Sequence, residues 1–600
     1  MLPLNSSALP NALNKKSIHS AHSGLERNRI VSSLQQAPSG LVAVRATSRK
    51  TASYRFSRPI GLMLLCQLIL LFIAGSHSLG SLTADSIAYM RIAEYYAQGQ
   101  FSLAINGYWG PMISWVMVPA LWLGLPPLVS LRIACATAAV AFLIGALRIF
   151  HATELKRHET IVAGCITLLF AVNWSVVGST PDLLVGGLLL CGIAEWLTPN
   201  PTGSDAHPVR SGLLFGLAYL AKAVALPMSV GLLLVLSTLR VVTGAAPCRN
   251  AIRSIGLAAL GIAIVSLPWI TAISAHYGYL TFSTSARINH ALIGPRNMPH
   301  PSFQTFNVPD EGRITSWEDP SQLNYQDWSP FDSASSFRHQ LQHITNNALF
   351  ISQELSGFDI IGLGLVAAIL GFIMHLPWST GFSRQPWRLI APVLLICVGI
   401  YLPVYGMDTR YYLHCYPLLL AASLCFLRDG ISLQRPPLSS FNSRRRHRLG
   451  LIALALVIVL AIPGTGRRAV RATIAGMTDP SYSVARALSA SLGAIPFGAV
   501  ASVETSADLP NFRVGSPAAV SELVGLYAAF LSNRPYYGAR TDLTDINEIF
   551  ESGAEVVVVP LKSYMDLVMS DNARFKSLPF DASILGATTS AVRAYQVLPK

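Results

Sequence analysis

Charged side chains are scarce in this sequence. Asp, Glu, Lys and Arg make up only 12% of its 600 residues, whereas 52% are hydrophobic. A soluble globular protein has about twice that charged fraction, so the composition excludes an ordinary soluble domain. Acidic residues are fewer than basic ones, with 30 Asp and Glu against 44 Lys and Arg. Because basic residues collect on the cytoplasmic side of membrane proteins, we interpret this excess as topology and not as binding to nucleic acid.

Cysteine pairs are also missing. The eight cysteines are scattered, most of them within apolar stretches, and no Cys-x-x-Cys motif occurs. The two large polar regions, residues 276–357 and 470–600, contain no cysteine. This pattern argues against a disulfide framework and against a structural zinc site. It also favours a bacterial inner (plasma) membrane over a eukaryotic secretory membrane.

The sequence contains many long apolar runs. A helix of about 17 to 25 apolar residues crosses a bilayer. The sequence therefore predicts an all-α polytopic membrane domain over residues 59–466, with about 11–12 transmembrane helices. The apolar runs fall near residues 60–80, 112–125, 130–150, 160–178, 182–198, 211–226, 228–243, 254–275, 358–378, 388–407, 410–428 and 449–466.

The charges between these runs predict the orientation of the chain. The run 112–125 is short and contains Pro119, so we expect it to be an irregular crossing. If this run is not counted as a membrane crossing, basic residues such as Lys156 and those of the run 443–448 fall on the cytoplasmic side. The same count puts on the outer face the first loop (81–111), the long loop (276–357) and the C-terminal region (470–600).

Polar segments at the start and in the middle of the chain differ in composition. Residues 1–58 contain nine Lys or Arg against the single acid Glu26, which predicts a disordered basic tail on the cytoplasmic side. An organellar transit peptide has a similar composition and is an alternative interpretation of this segment. The outer loop 276–357 is rich in Trp and Tyr, so we expect it to pack over the membrane domain.

The C-terminal region differs in sequence pattern from the membrane domain. Residues 498–505 and 554–560 are typical of short buried strands, and residues 543–552 of a helix between them. The sequence therefore predicts a small α/β exoplasmic domain over residues 470–600. It contains no Gly-rich phosphate loop and no residues that suggest catalysis.

Two acids lie at the predicted outer ends of crossings. In the stretch SLTADSIAYMRIAEYYAQGQF, Thr83 can cap a helix, Asp85 lies in its first turn, and Tyr89 shares its face. This helix could instead be an interfacial aromatic anchor. Asp182 begins a later crossing, where an acid is costly unless it is a cap, paired or functional. The two acids together could activate a nucleophile or hold a divalent cation.

Two basic residues lie at or near membrane depth. Lys222 interrupts the apolar stretch SGLLFGLAYLAKAVALPMSV, where it costs about 2.5–3.5 kcal/mol unless it snorkels or meets an anion such as phosphate. Arg410, in PVYGMDTRYYLHCY, could clamp a phosphate through its forked guanidinium, although a surface pair with Asp408 is the structural alternative. His276, at the end of another crossing, could be an acid/base or a ligand, but a boundary histidine usually has no such role.

The order of these motifs resembles the GT-C superfamily. An acid–tyrosine helix is followed by Pro-Asp-Leu-Leu, Gly-Leu-Ala-x-Leu-x-Lys, Leu-Pro-Trp and Arg-Tyr-x-Leu. More narrowly, the chain resembles the bacterial branch related to protein O-mannosyltransferases and to the aminoarabinose transferase of lipid A, over about residues 60–430. Two positions depart from the family pattern, since Ser86 replaces a second acid found in many relatives and Ala223 replaces a glycine. The first departure puts in doubt any mechanism or metal site that needs paired carboxylates on this loop.

This resemblance implies an integral-membrane glycosyltransferase that uses a polyprenyl-phosphate-linked sugar on the outer face. It matches Asp85 to the candidate general base, and Asp182 to the second acid of the site. Any divalent cation would be held by these two acids, and the acceptor would be a lipid, a glycan or a protein. The residues implied to face the donor or line its pocket are Lys222, Arg410, Tyr89 and Tyr411.

Two other functions compete with this one. A polytopic secondary transporter should show related halves and polar or broken helices near the midplane of the membrane. The sequence shows no convincing internal repeat, and its candidate charges cluster toward one face. A non-catalytic assembly protein of envelope biogenesis would account for the C-terminal domain but not for Lys222.

Overall fold

Helices make up most of the chain up to residue 432. The structure, a computed structural model, describes residues 58–198, 206–242, 244, 246–295, 304–358, 362–373, 386–432, 455, 457–458, 462–504, 520–579 and 592–599. The predicted basic tail, except for Arg58, and the basic run 443–448 lie outside these residues. The helices up to residue 432 are α1 (Arg58–His77), α2 (Ala84–Ala97), α3 (Phe101–Ala104), α4 (Met112–Trp122), α5 (Pro127–Ala152), α6 (Arg157–Val177), α7 (Asp182–Leu197), α8 (Ala206–Ala221), α9 (Ala225–Val242), α10 (Cys248–Tyr277), α11 (Ser285–Ala291), α12 (Ala334–Ser356), α13 (Leu363–Ile373), α14 (Ile390–Gly399) and α15 (Cys415–Ser432).

The predicted multi-pass helical domain is confirmed. Every apolar run from 60–80 to 410–428 contains a helix, and the run 449–466 lies mostly outside the described residues. Within the described part of the chain, five helices are long and apolar enough to cross a membrane by length and composition, namely α1, α5, α6, α9 and α10. The other runs contain shorter helices. One of these, α7, is buried along most of its 16 residues, so its length need not match the thickness of the lipid.

The segment between α1 and α5 starts and ends at the same end of the bundle. Ser81 follows α1, and its carbonyl oxygen accepts a hydrogen bond from Arg132, near the start of α5. Between them, α4 has only 11 residues, and Trp122 at its end donates from Nε1 to the carbonyl of Ala97 in α2 at 3.1 Å. The run 112–125 therefore turns back without crossing. We call this end of the bundle the α2 end.

Glycine allows α5 and α7 to pack at close range. A Cβ atom on Gly187 of α7 would lie 2.5 Å from the backbone carbon of Ala141 in α5. On the facing helix, a Cβ atom on Gly145 would lie 2.4 Å from the carbonyl oxygen of Gly187. Small residues of this kind let two membrane helices approach until their backbones touch. This contact fixes the start of α7, which carries Asp182, relative to α5.

The C-terminal region is a small α/β domain, as predicted. Its strands β1 (Val500–Glu504), β2 (Tyr536–Thr541), β3 (Val556–Pro560), β4 (Phe575–Ser577) and β5 (Val592–Val597) form one sheet in the order β2-β1-β3-β5-β4. The first three strands in this order are parallel, and β5 and β4 pair antiparallel. The α-helices that the structure describes from residue 480 onward are α16 (Pro480–Leu492), α17 (Ser521–Leu531), α18 (Asn547–Ser552) and α19 (Tyr564–Ser570).

The long loop (276–357) covers one edge of this sheet. Strand β2 is an edge strand, and an uncovered edge leaves backbone groups without partners. The backbone N–H of Tyr536 donates to the carbonyl of Ile314 at 2.7 Å, and the N–H of Asn307 donates to the carbonyl of Tyr537 at 2.7 Å. The loop therefore packs against the C-terminal sheet, a contact that its composition did not predict. It also reaches the membrane domain, over which it was expected to pack, through the bond from Trp317 to Asp85 at the α2 end.

We expect Gly187→Ala to destabilise the protein, because overpacking in a tight contact costs about 1–3 kcal/mol. Gly256→Ala in α10 is the matched control, since its new Cβ atom would meet nothing within 4 Å. Thermal unfolding in detergent should give a lower Tm for Gly187→Ala and an unchanged or higher Tm for Gly256→Ala, since alanine favours the helix. Equal midpoints for the two variants would contradict the close contact between α5 and α7.

Candidate active site

A cavity of about 590 Å³ lies at the α2 end of the bundle. Its walls come from the start of α2, the start of α7, the residues just after α8, the segment between α14 and α15, and the long loop. Four charged residues predicted from the sequence line it together with several aromatic rings. These residues are Asp85, Asp182, Lys222, Arg410, Tyr89, Tyr108, Trp109, Trp317, Tyr401 and Tyr411.

The first turn of α2 holds Asp85 at the cavity. Thr83 caps this helix as predicted, since its side chain accepts a hydrogen bond from the backbone N–H of Ser86 at 3.2 Å. The two carboxylate oxygens of Asp85 face different partners. Oδ2 lies 2.7 Å from Nη1 of Arg410, and Oδ1 accepts a hydrogen bond from Nε1 of Trp317 at 3.2 Å. Asp85 is therefore oriented from both sides.

Lys222 and Asp182 form a second ion pair at the cavity. Lys222 follows the last residue of α8, and its Nζ lies 2.6 Å from Oδ1 of Asp182, the first residue of α7. The hydroxyl of Thr180 donates to the other oxygen, Oδ2, at 2.6 Å. Asp182 is only 7% exposed. Lys222 thus has an acidic partner within the protein, so its ammonium group does not need to snorkel to the membrane surface.

Arg410 lies between two acids. Its Nε is 2.7 Å from Oδ2 of Asp408, and its Nη1 is 2.7 Å from Oδ2 of Asp85. Asp408 also accepts a hydrogen bond from the backbone N–H of Arg410 at 3.1 Å. The ion pair between Arg410 and Asp408, which the sequence offered as the structural alternative, is present. Arg410 also contacts Asp85, which lies more than three hundred residues earlier in the chain.

Tyrosine rings complete the walls near these charges. The Nζ of Lys222 lies 4.0 Å from the ring centre of Tyr411, which stacks on Tyr401 at 5.1 Å. Tyr89 packs edge-on against Trp109 at 5.1 Å between ring centres. Burial, together with the nearby carboxylates of Asp85 and Asp182, raises the pKa of the Tyr89 hydroxyl well above its usual value, so this group stays a hydrogen-bond donor.

The structure does not bring His276 to the cavity. His276 is exposed in the last turn of α10, and its ring contacts that of Tyr277 at 4.8 Å. The neighbouring Tyr277 is the residue that turns inward, since its hydroxyl accepts a hydrogen bond from the backbone N–H of Gly107 at 3.0 Å. Because successive side chains of a helix are about 100° apart, His276 cannot face inward in the same direction as the adjacent Tyr277.

Several lining residues, among them Tyr108, Trp109 and Trp317, were not predicted from the sequence. Asn106, only 1% exposed, fixes the first two, since its Oδ1 accepts the backbone N–H groups of Tyr108 at 2.8 Å and Trp109 at 2.9 Å. Trp317 comes from the aromatic-rich part of the long loop. A concentration of Trp in a polar loop was the available signal, but it did not say which ring reaches the site.

The residues at the cavity do not fit a divalent cation. Asp85 and Asp182 are the two predicted metal ligands, and each already lies against a basic side chain, Arg410 or Lys222. A cation between them would be repelled by these positive groups. In the part of the chain that the structure describes, no three His, Cys, Asp or Glu residues converge in a metal-binding group.

Comparison with solved structures shows that the chain has the GT-C fold, as the order of its motifs predicted. No protein-family model and no curated protein matches it. ArnT from Cupriavidus metallidurans in the apo state aligns over 89% of this chain and 97% of its own length, with a TM-score of 0.51 and 14% identity. The same protein bound to undecaprenyl phosphate gives a TM-score of 0.48 and 13% identity over the same shares of the two chains. The archaeal oligosaccharyltransferase AglB from Archaeoglobus fulgidus, in complex with an inhibitory peptide and a dolichol-phosphate, gives 0.46 and 12% over 82% of this chain and 69% of its own.

The pair between Lys222 and Asp182 makes a prediction for stability. Lys222→Met leaves a buried carboxylate without its cation, which costs about 3–5 kcal/mol when both groups are fully buried. Because the Lys222 side chain is 26% exposed, we expect a loss near the lower end of this range. The double variant Lys222→Met/Asp182→Asn removes both charges and should recover much of the lost stability. Thermal unfolding in detergent measures all variants, and a double variant no more stable than Lys222→Met would contradict the pair.

Proposed function

We propose that the protein is a glycosyltransferase that moves a hexosyl or pentosyl group from a polyprenyl-phosphate donor to a hydroxyl of a lipid, glycan or protein acceptor. The observation that carries this proposal is the meeting of Asp85 with Lys222 and Arg410 around one cavity. A carboxylate can take the proton of an acceptor hydroxyl. Cations stabilise the negative charge that develops on a departing phosphate.

The lipid nature of the donor is supported by the proteins that share the fold. ArnT has been solved bound to undecaprenyl phosphate, and AglB in complex with a dolichol-phosphate. A donor with such a tail stays in the bilayer, so its phosphate can reach only a site near the membrane surface. The cavity meets this condition, since Asp182 begins α7 and Lys222 directly follows α8.

The proposed reaction is a displacement at the anomeric carbon of the donor sugar. As the acceptor oxygen bonds to this carbon, its proton moves to the carboxylate of Asp85. The bond from the carbon to the phosphate oxygen breaks, and its electron pair stays on the lipid phosphate. The contact with Asp182 uses one of the three N–H donors of Lys222, which leaves two for the phosphate. Asp182 thus acts by holding Lys222, and Tyr89 and Tyr411 line the pocket of the sugar.

Charge distribution supports an exoplasmic position for this site, on the periplasmic side of a bacterial inner membrane. At the end opposite the α2 end, α5 finishes and α6 begins, and Lys156 and Arg157 lie in this turn. Arg428 joins them there, since its Nη1 donates to the carbonyl of Glu154 at 2.8 Å. Basic residues mark the cytoplasmic side, so the cavity would face outward.

The position of the cavity also favours a transferase over a secondary transporter. Transporters typically bind their substrates near the middle of the membrane, between broken helices. Here the four charged residues lie at helix ends or in connecting segments on one side of the bundle. The alternative of a non-catalytic assembly protein gives no reason for two cations and two acids around one cavity.

We expect Asp85→Asn to lower sugar transfer by about 10²- to 10⁴-fold, because the amide cannot accept the proton of the acceptor. Transfer is measured with purified protein in proteoliposomes supplied with a panel of polyprenyl-phosphate sugars. Asp327→Asn is the matched control, since its side chain is 54% exposed on the long loop and pairs with Arg287. Undiminished transfer by Asp85→Asn would exclude Asp85 as the base. Movement of solute without sugar transfer would favour a transporter.

The orientation makes a separate prediction. A cysteine introduced at exposed Asn324 of the long loop should react with a membrane-impermeant maleimide added outside intact cells. The native Cys248, exposed at the start of α10, lies at the opposite end and should react only after the cells are opened. Labelling is compared with that of the unchanged protein. The reverse pattern would put the cavity on the cytoplasmic side.

A further inference from the structure

The long loop brings a tryptophan N–H to the proposed base. Nε1 of Trp317 donates to Oδ1 of Asp85, while Arg410 lies against Oδ2. A base must present a lone pair to the acceptor in one geometry, and small errors in that geometry cost large factors in rate. Fixing both oxygens of a carboxylate fixes the direction of its remaining lone pairs.

We propose that Trp317 is a positioning residue that orients Asp85 for proton transfer. The role of Asp85 in this inference rests on the proposed function, whereas the contact between the two side chains does not. Trp317 suits the task because the indole N–H is a donor only and cannot take up the proton itself. The ring also lines the cavity, so its position is set by the protein and not by bulk solvent.

Buried Glu318 holds the turn that carries Trp317. Glu318 is 0% exposed, and its Oε1 accepts the backbone N–H groups of Ile314 at 2.9 Å and Thr315 at 3.1 Å. Its Oε2 accepts the hydroxyl of Tyr95, from α2, at 2.6 Å. A carboxylate so deeply buried is tolerated only when its oxygens are satisfied, so these bonds fix the turn firmly to the helix that carries Asp85.

The backbone on both sides of the indole is fixed as well. The carbonyl of Trp317 accepts Nε1 of Trp109 at 2.9 Å, and the carbonyl of Glu318 accepts Nδ2 of Asn106 at 2.6 Å. From the C-terminal domain, Tyr536 of β2 donates its backbone N–H to the carbonyl of Ile314. The turn is thus held by α2, by the segment before α4 and by the sheet, which leaves the indole little freedom to swing away from Asp85.

A double-mutant cycle on stability tests the contact without any need for activity. Trp317→Phe removes the N–H but keeps an aromatic ring, and Asp85→Ala removes the oxygen that accepts it. We expect the Tm loss of the double variant to be smaller than the sum of the two single losses, because both remove the same bond. Trp328→Phe combined with Asp85→Ala is the control, since Nε1 of Trp328 donates to the carbonyl of His290 in the same loop. Its losses should add, and additive losses for Trp317 would overturn the proposal.

Kinetics then tests the positioning role. We expect Trp317→Phe to lower kcat for sugar transfer about 10- to 100-fold with little change in the KM for the donor, whereas Trp328→Phe keeps the rate of the unchanged protein. Coupled Tm losses with a normal kcat would also overturn the proposal. If the unchanged protein transfers no sugar from any donor, the proposed function fails, and with it the catalytic role of Trp317, while the stability cycle still decides whether Trp317 binds Asp85.

Discussion

Ions beside a hydrocarbon layer are stable only when each meets an opposite charge, and the α2 end of this protein depends on that constraint. Lys222 lies against Asp182 at 2.6 Å, and Arg410 against Asp85 at 2.7 Å. The members of each pair come from distant parts of the chain. The bundle must therefore bring α2, α7, the end of α8 and the segment before α15 together, and the cavity is the space that these pairs surround.

Local features of the helices make this meeting possible. Asp85 is held in the first turn of α2 by the cap at Thr83, and Asp182 is held at the start of α7 by the glycine contact with α5. A carboxylate in the first turn of a helix is also favoured by the helix dipole. The acids are thus fixed by backbone geometry, while Lys222 and Arg410 reach them with long side chains.

Several site residues could be predicted from the sequence because each had a local signal. Asp85, Asp182 and Arg410 are charges at the ends of apolar runs and Lys222 lies within one, where a charge is expensive and requires an explanation. The same reasoning selected His276, which lies away from the cavity because the adjacent Tyr277 is the residue that faces inward. Trp317 was missed, since its importance depends on a contact with a residue 232 positions earlier.

Local patterns in the sequence predicted where the membrane helices lie, that residues 112–125 are an irregular crossing, and that residues 470–600 form a small α/β domain. These features follow from hydropathy, proline and strand propensity, which act over a few residues at a time. The packing of helices and loops was needed to show which acid pairs with which base, that Arg410 contacts both Asp408 and Asp85, and that Trp317 of the long loop reaches the cavity. Such pairings depend on how separate helices and loops pack, and no local pattern contains that information.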